Sequence, residues 1–454
     1  MRLVAAILLL AACGDPDARR IQLHLIAPTG DDDPFGLVDR YTFAADHETF
    51  RRTEQTFDAQ DAPFLLPAIE PGDGWIFSLL GFAAGSPWSY GRSCPTDVPE
   101  DGELPEPVVY FSRLRRFSRA GRLSAARPGS SLVPLQDGDV LVVGGEPQAQ
   151  PVRYARAHAG FDAPAGPEMG VVQVAPLEEP FDGYLVAGDS SDAWRVRPDG
   201  AIIPIPAPEV RRVGARLTPL GEGRVLLTGG STEPGMPPST SPWIYNPESG
   251  AFEAGTAAAH LARRDHSATR VGVERVLVLG GRDALDAALL WADVVASSTT
   301  TTTSTTPTAD LNRARWQHTA TLLPDDRGVL VVGGRGTDGL PILDAEIYVA
   351  TEPSSTQLLE GESRPLLARS GHTATPIAEG RFVLLAGGWG ADDMPIAAAE
   401  LYDVERMNFR RTEDMKTPRA GHAALLLCDG TMLFVGGEGE GTEYAEIYNP
   451  DPDL

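Results

Sequence analysis

Short apolar runs that close on paired glycines recur along most of the chain. They read Val140-Leu141-Val142-Val143-Gly144-Gly145, Val225-Leu226-Leu227-Thr228-Gly229-Gly230 and Val276-Leu277-Val278-Leu279-Gly280-Gly281. They continue as Val329-Leu330-Val331-Val332-Gly333-Gly334, Phe382-Val383-Leu384-Leu385-Ala386-Gly387-Gly388 and Met432-Leu433-Phe434-Val435-Gly436-Gly437. A degenerate copy, Tyr184-Leu185-Val186-Ala187-Gly188, falls between the first and second. The closing glycines stand at 145, 188, 230, 281, 334, 388 and 437, a spacing of 42 to 54 residues. Each run predicts a buried strand, and turns such as Gln136-Asp137-Gly138-Asp139 ahead of it predict a hairpin. That spacing is the length of a propeller blade, a four-stranded antiparallel sheet that must stack around an axis to bury both faces.

Further residues keep the same register. Ahead of the runs stand Arg263-Arg264-Asp265-His266, Arg315-Trp316-Gln317-His318, Arg369-Ser370-Gly371-His372 and Arg419-Ala420-Gly421-His422. Behind them stand Trp243-Ile244-Tyr245, Glu346-Ile347-Tyr348, Glu400-Leu401-Tyr402 and Glu446-Ile447-Tyr448, with an aromatic (Phe161, Phe252, Phe409) following in several copies. The set resembles the kelch repeat, with its Arg-x-Gly-His, Gly-Gly, Glu-x-Tyr and trailing aromatic. The resemblance covers about 330 residues and implies a kelch-type β-propeller over residues 113–454, with those Arg, His and Gly residues as its structural frame. Seven blades are expected, or six if residues 170–208 are an insertion. The last copy ends before a fourth strand, and residues 116–123 have the pattern that would supply it, so residues near 114–121 are expected to close the ring.

Residues 21–112 lack the Gly-Gly runs and alternate apolar with polar positions, as in Ile21-Gln22-Leu23-His24-Leu25-Ile26 and Trp75-Ile76-Phe77-Ser78-Leu79-Leu80. About seven short strands with frequent turns predict a small immunoglobulin-like β-sandwich. Before them, Met1-Arg2 and the apolar stretch Leu3–Ala12 read as a secretory leader, too short to span a membrane. Its ending, Leu10-Ala11-Ala12-Cys13, resembles the lipobox of bacterial lipoproteins. That resemblance implies cleavage after residue 12, acylation of Cys13, a tether over 13–20 and attachment to a cell-envelope membrane by the lipid. Gly14 directly after the cysteine favours the outer membrane over the inner.

Composition fits this picture: 48 Gly and 39 Pro exclude long helical bundles and supply the turns of an all-β chain. The formal net charge of −25 excludes duplex nucleic acid as partner, since the arginines between 113 and 122 alternate with apolar residues as a wet strand face does. Of the three cysteines, Cys94 and Cys428 are expected to remain unpaired, the latter as a small core residue in Ala423–Cys428. Asp31-Asp32-Asp33 reads as an acidic turn rather than a Ca²⁺ site. The Ser/Thr tract Ser297–Pro307 is expected to be an exposed loop.

No catalytic constellation is complete. His266, His318, His372 and His422 recur one per blade, so they are spread around an axis and are read as structural. Galactose-oxidase-like enzymes carry copper on a kelch-type propeller with a Tyr–Cys crosslink and two His. Here neither Cys94 nor Cys428 suits that crosslink, and no cofactor is expected. The sequence thus predicts a non-enzymatic, membrane-anchored binding scaffold, with a carbohydrate-active or galactose-oxidase-like propeller enzyme as the alternative. Its recognition elements are the loops Ser231–Pro242, Arg335–Asp344 and Trp389–Ala398, headed by Ser231, Arg335 and Trp389, and their partner is a protein or a polysaccharide.

Overall fold

The computed structural model of the chain describes residues 20–28, 32–189, 192–206, 212–233, 235–297, 303–350 and 354–451. Cys13, the leader before it, most of the tether and Asp31 lie outside them. Seven four-stranded antiparallel sheets occupy the repeat region. Their inner strands are Ser131–Pro134, Val172–Pro176, Arg216–Gly221, Ser267–Gly272, Thr319–Leu322, Thr373–Ile377 and Ala423–Leu426. Each inner strand neighbours those of the blades on either side, and Ser131–Pro134 meets both Val172–Pro176 and Ala423–Leu426. The ring is therefore closed, and the fold is a β-propeller. The degenerate copy is a complete blade, the second of seven. The seventh takes its outer strand, Arg116–Arg122, from before the first, with Phe117 opposite Tyr448 and Ser118 opposite Ile447.

The Gly-Gly pairs mark where blades touch. Gly333 has φ +60°, and a Cβ there would lie 2.3 Å from the carbonyl oxygen of Arg369 in the next blade. The following N–H, of Gly334, donates to that same oxygen at 2.9 Å. Gly281, Gly388 and Gly437 donate in the same way to Arg315, Arg419 and Arg127, the last bond spanning blades 7 and 1. Only a residue without Cβ allows this approach.

The motif arginines tie each blade internally. Arg263, Arg315, Arg369 and Arg419 are fully buried and pair with the third-strand acids Asp293, Glu346, Glu400 and Glu446. Arg315 also donates to the Gly333 carbonyl at 2.9 Å and Arg369 to that of Gly387 at 2.9 Å. A buried guanidinium is tolerable only when so thoroughly paired.

Residues 20–113 form a separate module. Its large sheet runs Thr53–Asp58, Arg40–Asp46, Gly72–Ala83, Ser86–Arg92 and Ser112–Arg113, with Thr96–Val98 paired to Gly72–Ala83. Opposite it, His24–Ile26 pairs in parallel with Val108–Tyr110. The module thus departs from the expected sandwich of two comparable antiparallel sheets: six strands face a two-stranded parallel ribbon, over a core that includes Tyr41, Phe43, Trp75, Phe77 and Phe111.

The module docks on the hairpin ends of blades 1 and 7 and on their flank. Ile26 and Tyr110 enter the core shared by Val140, Tyr154 and Leu433. Asn449 donates to Tyr90 O at 2.7 Å, and Asp32 pairs with Lys416 at 2.9 Å. Cys94 and Cys428 form a disulfide, correcting the expectation that both are unpaired. The docked module brings together two segments 334 residues apart. A second correction concerns the Ser/Thr tract: Thr303–Pro307 is the outer strand of blade 4, paired with Asp293–Ser297. Threonine is β-branched and suits an exposed edge strand despite its polarity.

Candidate functional site

Antiparallel order sends the hairpin ends and the Gly-Gly ends of every blade to opposite faces of the ring. The module sits at the hairpin ends, so the Gly-Gly ends form the other face. Four motif histidines lie just beneath that face, buried. The Nε2 atoms of His318, His372 and His422 share hydrogen bonds with Ser267 Oγ, Thr319 Oγ1 and Thr373 Oγ1 of the preceding blade, at 2.8, 2.9 and 3.0 Å. His266 uses Thr228 Oγ1 instead, at 2.9 Å. Burial, reinforced by neighbouring arginines, holds His266, His318 and His372 well below the usual imidazole range and pushes His422 down to about 3. These are neutral imidazoles with one nitrogen committed to a hydroxyl.

The residue preceding each histidine position lines the axis. Asp265 N–H donates to Gly214 O, Gln317 to Asp265, Gly371 to Gln317, Gly421 to Gly371 and Gly129 to Gly421, at 2.8–3.2 Å. This chain of backbone bonds runs from blade 3 around to blade 1. All six residues have positive φ, between 51° and 74°. Four are glycines, for which that conformation is free; Asp265 and Gln317 accept its cost and put side chains at the axial mouth. Such outliers concentrate at functional sites.

The residue following each Gly-Gly pair builds the rim. Ser231, Arg282, Arg335, Trp389 and Glu438 make equivalent β-bridges to Val213, Arg264, Trp316, Ser370 and Ala420. The three expected loop residues therefore share one register position. Ser231 is buried, whereas Arg335 and Trp389 are half-buried at the rim. Sequence reasoning missed Arg282 and Trp316. The Arg282 guanidinium stacks 4.0 Å from the Trp316 ring centre, with that of Arg335 at 5.7 Å on the same ring. Arg282 also holds Asp265 Oδ2, through Nη2 at 2.5 Å and Nε at 3.1 Å. Arg264 and Arg335 pair with Asp286 and Asp393, and Arg264 keeps the Asp286 carboxyl below the usual carboxylate range. Position after Gly-Gly was the signal available in the sequence for Arg282.

Blades 4 to 6 thus present two indoles, three guanidinium groups and the Asp265 carboxylate around one opening. Indole faces take the C–H surface of a flat polar molecule, while the fixed charged groups take its hydroxyls. Of the acidic turn, Asp33 caps the backbone N–H of Phe35 at 2.9 Å and Asp32 is spent on Lys416.

No protein-family profile matches the chain, and no curated protein sequence does. A solved structure does match, described as a "novel fungal alcohol oxidase with catalytic diversity among the AA5 family, in complex with copper". The match covers 74% of this chain and 76% of that one, at a TM-score of 0.58 and 16% identity. That likeness is one of fold. It nonetheless corrects the expectation of a non-enzymatic chain, which leaned on the lack of a complete catalytic constellation in the sequence: the architecture matched is that of an oxidase. The copper set of galactose-oxidase-like enzymes does not fit the residues present. Cys94 and Cys428 are spent on each other, the four motif histidines are buried on hydroxyls, and the described residues hold no metal-binding group of three His, Cys, Asp or Glu.

Proposed function

We propose that the chain is an exported propeller enzyme of kelch type, lipid-anchored at Cys13 in the cell envelope, that acts on a carbohydrate at its axial mouth. The observation that carries this reading is the cluster of Asp265, Arg282, Trp316, Arg335 and Trp389 on the face opposite the docked module. The likeness in fold to an alcohol oxidase supports chemistry on a hydroxyl-bearing substrate. An anchor preceding the module leaves this face turned away from the membrane.

Asp265 is the acid–base group of this reading. Its Oδ2 is clamped and oriented by Arg282, while Oδ1 has no hydrogen-bond partner among the described residues. Trp389 provides a stacking surface that positions a sugar ring against it, and Trp316 holds the guanidinium groups of Arg282 and Arg335 in place. Binding energy spent on positioning lowers the barrier of the step Asp265 assists.

The test is conversion of a panel of oligo- and polysaccharides by the purified chain, read by mass spectrometry of products. At least one substrate is expected to be converted. Asp265→Asn is expected to lower the rate by about 10²–10⁴-fold, the usual contribution of a general acid or base, with binding retained. No conversion across the panel, or an unimpaired Asp265→Asn variant, overturns the reading. Fractionation tests the anchor: wild type should sediment with envelope membranes, and Cys13→Ser should be soluble.

A further inference from the structure

Arg216 begins the inner strand of blade 3 at the register position held by Ser131, Ser267, Thr319 and Thr373 in blades 1, 4, 5 and 6. In blades 4 to 6 that hydroxyl receives the histidine of the following blade. Blade 3 meets the need differently. Thr228, directly across the hairpin from Arg216, bonds to His266. The ring is latched without any contribution from the guanidinium, so closing the propeller does not explain the arginine.

Its partners are few. Among the described residues Arg216 donates a single bond, from Nη1 to the carbonyl of Ala215 at 3.2 Å, and no carboxylate lies within ion-pair distance of it. The four motif arginines, by contrast, each have an acid at 0% exposure. Arg216 is half-buried at the Gly-Gly end of the axis, where desolvation lowers its guanidinium and the nearest counter-charge, Asp265, raises it. Asp265 is already held by Arg282. Arg282 also pairs with Asp286 at 3.1 Å, whereas Arg216 is left without a carboxylate of its own among the described residues, a spare cation in a chain of net charge −25. Across the mouth, a side chain added at Gly421 would meet no atom within 4 Å. Room and unmet charge coincide there.

We infer that Arg216 is an anion-recognition residue and that the carbohydrate taken at the mouth is acidic, carrying a carboxylate or a sulfate ester. This rests on the carbohydrate reading above and sharpens it to a substrate class. A planar guanidinium reads either group through paired N–H donors, and a neutral sugar leaves it without such a pair.

Arg216→Thr restores the hydroxyl of the other blades and is expected to fold. Calorimetry would compare it with wild type on oligogalacturonate, a sulfated galactan oligosaccharide and a neutral galactan oligosaccharide of equal length. Wild type should bind one acidic ligand at least 10-fold better than the neutral one, as charge-assisted hydrogen bonds predict. The variant should lose about 10- to 100-fold on that ligand and nothing on the neutral one; which acidic arm responds identifies the group. Equal acidic binding by the variant overturns the inference while leaving the carbohydrate reading standing. A parallel thermal-unfolding series in sodium sulfate against chloride at fixed ionic strength separates the two failures. If wild type binds no saccharide yet gains more from sulfate than the variant does, the anion site stands and the carbohydrate reading falls; equal gains refute the anion site as well.

Discussion

Replacing Gly333 with alanine tests the physical basis of the ring, because a matched control lies six residues away. Gly333 and Gly339 have φ of +60° and +76°, so alanine at either carries left-handed strain of about 1 kcal/mol. At Gly339 the new methyl meets no atom within 4 Å, whereas at Gly333 it would lie 2.3 Å from Arg369 O. Real Cβ contacts below 3.0 Å essentially do not occur, so the neighbouring blade must retreat by about 0.7 Å. That movement breaks the 2.9 Å bond from Gly334 N–H to the same oxygen. Losing a buried backbone pair costs about 1–3 kcal/mol. Gly333→Ala should therefore cost about 3 kcal/mol and Gly339→Ala about 1 kcal/mol, measured by urea unfolding at matched m-values. Equal losses in the two variants would refute the claim that paired glycines exist for contact between blades.

Three further outcomes are expected. Stability should fall as pH drops from about 6.5 towards about 3: His422 titrates near 3 in the folded chain and 6.5 otherwise, so the unfolded chain binds more protons there, for about 5 kcal/mol at this residue alone. Urea midpoints unchanged between pH 7 and pH 4 would contradict a neutral, buried ring of histidines. A non-reducing digest should yield a peptide linking Cys94 to Cys428, and the double serine variant should lose about 2–4 kcal/mol; free alkylation of both thiols in the oxidised native protein would exclude the link. Arg369→Ala should cost about 3–5 kcal/mol by stranding the buried Glu400 carboxylate, and Arg369→Met with Glu400→Leu should recover most of it. A double variant no more stable than the single one would show that the loss does not come from the stranded charge.

The ring was legible because each blade repeats the same solution to the same packing problem. Gly-Gly spacing located all seven second strands, including the degenerate copy at 184–188, and the pattern of 116–123 located the closing strand. Contacts made once were harder to read. Nothing local to Cys94 or Cys428 reveals that a docked module brings them together, and alternation in residues 21–112 does not say which strands pair in parallel. The Ser/Thr tract misled because its polarity was weighed over the strand preference of branched threonine. At the axial mouth the sequence offered Arg335 and Trp389 through loop variability. Arg282 becomes visible only when residues following each Gly-Gly are aligned, and Arg216 only when its position is set beside the hydroxyls of other blades. The residues of the proposed site are departures from the repeat, which a search for the repeat passes over.

The central claim is that substrate is taken at the axial mouth of the Gly-Gly face. Hydrogen exchange by mass spectrometry, with and without the best-binding saccharide, tests it most directly. Protection is predicted in peptides spanning 261–270, 313–320, 333–345 and 387–398, with none in 20–113. Protection confined to the module or to the hairpin ends of the blades would contradict it.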